Sequence, residues 1–142
     1  MPLCAVAYAS QLAPTRMQGR LDEVVEDAAR FNRLAGVTGV LLHDGSRFLQ
    51  YLEGPPDGLD LAYDRILQSK SHTGVTELAR GSVASRQFPY WAMRWLPVNA
   101  ECIWALSQAD WEGFRRSVSG AGEGDTAIAL LDAVVQPLVH AT

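Results

Sequence analysis

The sequence has few of the residues that disulfide frameworks, metal centres and nucleic-acid surfaces require. Its two cysteines and three histidines are scattered along the chain, so they predict neither a disulfide framework nor a metal site. Its arginines and lysines are also dispersed and the formal net charge is -4, so no nucleic-acid-binding surface is indicated. The cysteine usage is typical of a reducing, cytoplasmic compartment.

Long apolar runs are missing too. No stretch approaches the roughly 18 uncharged apolar residues that indicate a membrane-spanning helix, and no basic segment precedes an apolar run at the N-terminus. We therefore expect neither a membrane span nor a targeting segment. What is present is an ordinary globular composition, with 48% hydrophobic and 20% charged residues among 142, which is enough for one domain with its own core.

The spacing of apolar residues predicts an α+β fold in which strands and helices alternate. Strands are predicted over residues 3–9, 37–43, 47–53, 75–84 and 92–96, and helices over residues 20–34 and 57–69. Asp44-Gly45 between two apolar strands indicates a hairpin, and His43 before it is expected at the surface. The resulting βαββαββ order resembles a ferredoxin-like sheet with two helices on one face.

Pro97 and Asn99 mark the end of this unit. We assign residues 1–97 to the sheet domain and residues 98–142 to a C-terminal helical extension. Helices of the extension are predicted over residues 100–106, 108–117 and 125–139, with a glycine-rich linker over residues 119–124. Because two helices leave the other sheet face bare, we expect the extension to cover that face or a second copy of the chain.

Three polar side chains interrupt apolar faces. Tyr8 lies on the apolar face of the first strand, Gln50 on that of the third, and Asn32 extends the apolar stripe of the first helix. Burying such groups without partners costs about 1–3 kcal/mol each, so something must satisfy them. Backbone groups or water are one interpretation. A planar ligand with carbonyl and ring N–H groups, bound between sheet and helices, is the other.

Four sequence elements, taken in order, resemble the BLUF family of blue-light sensors that use FAD. They are a strand ending in Tyr8, Asn32 ahead of GVTGVLL, Gln50 within FLQYLEG, and RQFPYWAM with Trp91 and Met93. The resemblance implies a non-enzymatic photoreceptor that binds FAD non-covalently. Because the residues after Pro97 are too few for a fused output domain, we expect signalling through protein contacts that involve a homo-oligomer and a downstream protein partner.

The resemblance further implies a role for each matching residue. Tyr8 matches the light-active tyrosine, which donates an electron and a proton to the excited flavin. Gln50 matches the glutamine that bridges tyrosine and flavin and rearranges its hydrogen bonds, and Asn32 matches the asparagine that anchors the flavin's carbonyl edge.

Four other positions match the family's flavin rim or its reporter strand. Arg65 matches a basic residue near the pyrimidine side of the ring, and His72 is placed to help hold the flavin, although a histidine at a helix C-terminus also suits the helix dipole. Trp91 and Met93 match the strand that reports the switch. Strand alternation predicts that these two side chains share a face.

The sequence departs from the family pattern at Phe31 and in residues 69–72, both near the expected flavin rim. These departures motivate one alternative, a ferredoxin-like interaction module that has lost its flavin. A flavoenzyme with an unrecognised substrate is a second alternative, although no acid–base pair is visible in the sequence.

Overall fold

The structure is a computed structural model, and it describes residues 3–12, 21–68, 72–83, 86–89, 91–109, 111 and 127–140. The strands are β1 (Leu3–Leu12), β2 (Thr38–His43), β3 (Arg47–Gly54), β4 (His72–Val83) and β5 (Arg94–Pro97). The helices are α1 (Leu21–Ala35), α2 (Pro56–Gln68), α3 (Ala100–Ser107) and α4 (Ala127–His140).

The strands form one five-stranded sheet in the order β4-β1-β3-β2-β5. β1 pairs antiparallel with β3 and β4, β2 pairs antiparallel with β3, and β5 joins the edge parallel to β2. This is the predicted βαββαββ arrangement, a ferredoxin-like sheet with the fifth strand at one edge, so the α+β fold class is confirmed. β1 and β3 lie side by side, so side chains from distant parts of the sequence become neighbours.

The turn between β2 and β3 forms where Asp44-Gly45 predicts it. The Asp44 Oδ1 atom accepts hydrogen bonds from the backbone N–H groups of Ser46 (2.9 Å) and Arg47 (2.8 Å). Gly45 has a φ of 106°, a backbone conformation that glycine adopts without steric cost. The turn thereby sets the β2–β3 register, in which Leu41 faces Gln50.

The strands β1 and β4 extend beyond their predicted limits. β1 does not end at residue 9, because Ser10 and Gln11 continue it and pair with Phe48 and Arg47 of β3. β4 likewise begins at His72 rather than at residue 75. In both cases, pairing with a neighbouring strand extends β structure through residues of low strand propensity.

Alternate residues of the sheet point into two separate cores. The helix-side cluster lies beneath α1 and α2, and the tail-side cluster lies beneath α3 and α4. The buried helix-side members are Val6, Tyr8, Val37, Leu52, Leu59, Ala62, Tyr63 and Ile66. The buried tail-side members are Ala5, Ala7, Val40, Leu42, Leu49, Tyr51, Val83, Phe88, Leu96, Ile103, Leu106, Trp111, Leu131 and Val135.

The C-terminal extension covers the sheet face that two helices leave bare, as predicted. α3 begins after Asn99, whose side chain accepts a hydrogen bond from the backbone N–H of Cys102 (2.8 Å) and so caps the helix. Leu131 and Val135 of α4 are fully buried in the tail-side cluster. The helix predicted over residues 108–117 and the linker over residues 119–124 fall largely outside the described residues.

Gly58 of α2 lies directly against the last residue of α1. A Cβ atom at Gly58 would lie 1.9 Å from the backbone oxygen of Ala35, so only glycine permits this approach. The close contact fixes how the two helices are placed over the helix-side cluster. In the described part of the chain, no helix has both the length and the apolarity needed to span a membrane.

Candidate functional site

The sheet places Tyr8 and Gln50 side by side. They are register partners in the antiparallel β1–β3 pair, and such partners have Cβ atoms about 4.5–5.5 Å apart. Tyr8 is 0% exposed and Gln50 is 3% exposed. Both lie on the face covered by α1 and α2, so the structure brings together the phenol and the carboxamide that the sequence singled out.

The Tyr8 side chain is buried beside the ring of Tyr63. Its ring centroid lies 5.7 Å from that of Tyr63, with the two planes tilted by 46°. Burial raises the pKa of Tyr8 well above its usual value, the nearby Tyr63 adds to this, and Arg65 opposes it. The buried phenol is therefore uncharged at neutral pH.

The side-chain amide of Gln50 donates a hydrogen bond to a weak acceptor. Its Nε2 atom donates a hydrogen bond to the Sδ atom of Met93 at 3.3 Å. A thioether sulfur accepts hydrogen bonds poorly compared with a carbonyl oxygen. A ligand that presented a carbonyl or ring nitrogen would therefore compete well for this amide, which fits the hydrogen-bonding edge of a flavin.

Asn32 also reaches the chain segment that precedes β5. Its Nδ2 atom donates to the backbone oxygen of Ala92 at 2.9 Å, and the residue is 3% exposed. The amides of Asn32 and Gln50 thus bind consecutive residues, Ala92 and Met93, from opposite sides of the helix-side core. No sequence pattern predicted this shared partner segment.

Arg65 lies in α2, on the same side of the sheet as Tyr8 and Gln50. Its guanidinium carbon stands 5.4 Å from the centre of the Phe31 ring, a cation–π distance. Phe31, the residue that departs from the family pattern, packs against the helix-side cluster. His72 opens β4 and pairs with Leu12, and its side chain lies outside the described part of the structure.

Trp91 and Met93 point to opposite sides, so the prediction that they share a face is wrong. Trp91 packs against the tail-side cluster and Met93 against the helix-side cluster. β5 starts only at Arg94, and the chain bends at Ala92. Strand alternation therefore does not apply to residues 91–93.

His43 is buried, contrary to the expectation of a surface position. Its ring stacks on Phe48 with centroids 4.8 Å apart, and Trp95 lies 5.9 Å away. Burial lowers the pKa of His43, and Asp44 opposes this shift. No three metal-ligating side chains come together within the residues that the structure describes.

Glu53 is a buried residue that the sequence reasoning missed. It is 0% exposed and lies next to Tyr51 on the tail-side face. Its carboxylate accepts hydrogen bonds from the Tyr51 hydroxyl (3.0 Å) and from the backbone N–H groups of Gln87 (2.8 Å) and Phe88 (2.6 Å). A charged residue within a strand of buried apolar residues was the available signal.

With this geometry in place, comparison with known proteins identifies the family. The model of the BLUF family, described as sensors of blue-light using FAD, matches residues 3–94. The match covers more than half of the chain, so the chain belongs to the BLUF family.

Individual relatives agree with this membership. A blue light- and temperature-regulated antirepressor of Escherichia coli is 34% identical over 86 residues, which cover 61% of this chain and 21% of that protein. The chain therefore spans about a fifth of the length of that relative. A solved structure of Klebsiella pneumoniae BlrP1 with FMN and cyclic diGMP is 31% identical with a TM-score of 0.66, covering 92% of this chain and 34% of that one.

The dark-state structure of BlrB, a BLUF protein, shows the same fold. It has a TM-score of 0.67 at 23% identity and covers 94% of this chain and 98% of that chain. The likeness therefore extends beyond the family-matched residues 3–94 to the fold as a whole, C-terminal helices included.

Proposed function

We propose that this chain is a blue-light sensor in which Tyr8 and Gln50 are the light-responsive pair and FAD is the bound flavin. Asn32, Arg65 and His72 are the residues that would hold the flavin between the sheet and the helices α1 and α2. The observation that carries the proposal is the Tyr8–Gln50 register pair, buried on the helix-covered face and connected to Met93 through the Gln50 amide.

The chemistry of these residues suits a flavin. A bound flavin supplies blue-light absorption and redox chemistry that the side chains themselves lack. The family description names FAD, and this supports FAD as the flavin in this chain. A carboxamide offers both donors and acceptors without charge, as the carbonyl and ring N–H groups of a flavin require.

The protein's own part in the response is an exchange of hydrogen bonds. Tyr8 retains its proton in a buried setting and releases it only along a hydrogen bond. Gln50 reverses its donor and acceptor ends by rotation or tautomerisation, with little movement of its heavy atoms. Because the Gln50 amide now holds the Met93 sulfur, the exchange changes what holds the chain immediately before β5.

The output is a contact with another protein. β5 follows Met93 and leads to Asn99, the cap of α3, so a change at Met93 can reach the C-terminal helices through β5. We propose that the chain acts in the cytoplasm, without a catalytic role, as a homo-oligomer that engages a downstream protein rather than nucleic acid or a membrane. The antirepressor relative supports output by protein contact.

Light-minus-dark absorption spectra of the purified protein test the proposal. The expected result is a yellow protein whose absorption shifts reversibly to the red under blue light. Tyr8→Phe should abolish the shift. Tyr63→Phe is the matched control, because its ring lies 5.7 Å from Tyr8 but it is not the partner of Gln50, and it should keep the shift. An unaltered response in Tyr8→Phe would contradict the mechanism.

The identity of the flavin needs its own measurement. Flavin released from the purified protein by heat, then separated by chromatography, should be FAD. The BlrP1 structure with FMN makes FMN the relevant competitor. FMN as the predominant species, with no exchange for added FAD, would contradict that part of the proposal.

A flavin-less interaction module is the second candidate function. It is favoured by the partners that the protein itself provides, since Asn32 donates to Ala92 and Gln50 donates to Met93, and by Phe31 beneath Arg65. A colourless protein that takes up no added FAD or FMN would support this candidate and overturn the photoreceptor.

A further inference from the structure

The segment between β4 and β5 supplies partners to both amides of the candidate site. It includes Ala92, whose backbone oxygen binds Asn32, and Met93, whose sulfur binds Gln50. Residues 86–89 and 91–93 contain no helix or strand. Backbone pairing of the regular kind therefore does not set the position of these partners, and other contacts must do so.

The start of the segment is attached to β3 by one buried carboxylate. Glu53 Oε1 accepts from the backbone N–H of Gln87 at 2.8 Å, and Oε2 accepts from that of Phe88 at 2.6 Å. The Tyr51 hydroxyl donates to Oε1 at 3.0 Å. Hydrogen bonds to an ionised group are stronger than neutral ones, so this carboxylate holds two successive backbone groups firmly.

Arg86 strengthens the same attachment. Its Nη1 atom donates to Thr38 Oγ1 (2.8 Å) and to the backbone oxygen of Glu53 (3.2 Å), and its Nη2 atom donates to the backbone oxygen of Gly36 (2.8 Å). The segment is thereby tied to β2, to β3 and to the turn after α1. Farther along, the backbone oxygen of Trp91 accepts from the N–H of Gly39 at 2.9 Å.

Glu53 and Gln50 belong to the same strand but face opposite sides of the sheet. Gln50 points towards α1 and α2, and Glu53 shares the tail-side face with Tyr51. Burial raises the pKa of Glu53, and its hydrogen bonds and Arg86 oppose this shift. An apolar residue would avoid that desolvation, so the carboxylate needs a reason beyond core packing.

We propose that Glu53 is a positioning residue for the Gln50 switch, since it fixes the start of the segment that carries Ala92 and Met93 to Asn32 and Gln50. The carboxylate of Glu53 lies on the other face of the sheet from the side-chain amides of Asn32 and Gln50. It acts on them through the segment that begins at Gln87 and Phe88. The expected effect on the lit state rests on the proposed function. The expected effect on the flavin-free protein rests only on the contacts described above.

Glu53→Gln is the sharpest variant, because it keeps size and shape. Both carboxylate oxygens accept from N–H donors, so either orientation of the new amide sets an NH₂ group against a donor. In the flavin-free protein we expect faster hydrogen exchange at the amides of Gln87 and Phe88. We also expect shifted side-chain amide resonances for Asn32 and Gln50 in NMR spectra. Unshifted Asn32 and Gln50 resonances would overturn the proposal.

In the flavin-loaded protein, Glu53→Gln should change the lifetime of the lit state by about threefold or more. Val135→Ala is the control for general destabilisation, because Val135 is buried in the same tail-side cluster but belongs to α4 and not to β3 or to the segment between β4 and β5. An equal change of lifetime in Val135→Ala at matched stability would overturn the proposal.

A double-mutant cycle that combines Glu53→Gln with Met93→Leu tests whether Glu53 acts on Gln50 through Met93. If Glu53 acts through Met93, the effect of Glu53→Gln on the lifetime should be largely absent in the Met93→Leu background, and simple additivity would contradict this.

If Glu53→Gln does not fold, Tyr51→Phe removes one bond to the carboxylate and should act in the same direction, more weakly. A wild-type protein without any light response would instead overturn the proposed function, so the two failures are distinct.

Discussion

The two faces of the central strands differ in what they bury. On the helix side, β1 and β3 present Tyr8 and Gln50, and the Gln50 amide donates to the thioether sulfur of Met93. On the tail side, the same strands present mainly apolar residues, and the buried carboxylate of Glu53 binds three donors. The tail side therefore contributes mainly to stability. The polar groups of the helix side have weaker partners, which they can exchange more easily.

This difference teaches that one pair of strands serves two purposes through the alternation of its side chains. Apart from Glu53 and its Tyr51 partner, which hold the segment before β5, substitutions on the tail side should lower stability with little change in the photoreaction. Substitutions on the helix side should alter flavin binding or the photoreaction beyond any effect on stability. The following predictions test that separation, beginning with the largest expected effect.

Leu106→Ala should be the most damaging of these changes to stability. Leu106 is 0% exposed in the tail-side cluster, and truncating such a side chain costs about 2–5 kcal/mol of unfolding free energy. Denaturant unfolding measures this loss. Leu130→Ala on α4, where the side chain is 38% exposed, is the control and should cost about 1 kcal/mol or less. A lost light response in folded Leu106→Ala protein would break the separation.

Gly58→Ala should affect the helix side. The added Cβ would lie 1.9 Å from the backbone oxygen of Ala35, so α1 and α2 must move apart. Overpacking of this kind costs about 1–3 kcal/mol, and flavin titration should show weaker binding. Gly45→Ala is the control, because no atom lies within 4 Å of its Cβ position and only its φ of 106° strains the turn. Equal flavin affinity in both variants would contradict the prediction.

The smallest expected effect is a dependence of stability on pH that arises from His43. Burial lowers the pKa of His43 in the folded chain, so the unfolded chain takes up the proton first as pH falls. The stability present above the unfolded pKa of about 6.5 is therefore lost as pH falls through the folded value. Unfolding free energies at a series of pH values should decline less in His43→Phe than in wild type. Identical declines would exclude His43 as the source.

Periodicity was enough to predict the sheet, the two covering helices and the polar set on the helix side. Tyr8 and Gln50 followed from strand alternation and Asn32 from helical spacing, because each lies within a regular element. The partners of these amides, Ala92 and Met93, lie in irregular chain with no periodic signal. A charged residue in an apolar strand marked Glu53 as unusual, but its role could not be predicted, because two of its three partners are backbone N–H groups 34 and 35 residues away.

The β1–β3 register has a consequence for how such a chain tolerates changes in length. A slip of two residues would keep the same faces buried but set Tyr8 opposite Phe48 or Leu52 instead of Gln50. A single residue inserted into β3 ahead of Gln50 would turn the carboxamide to the other side of the sheet. Insertions and deletions that leave a working sensor are therefore confined to the connections outside these two strands.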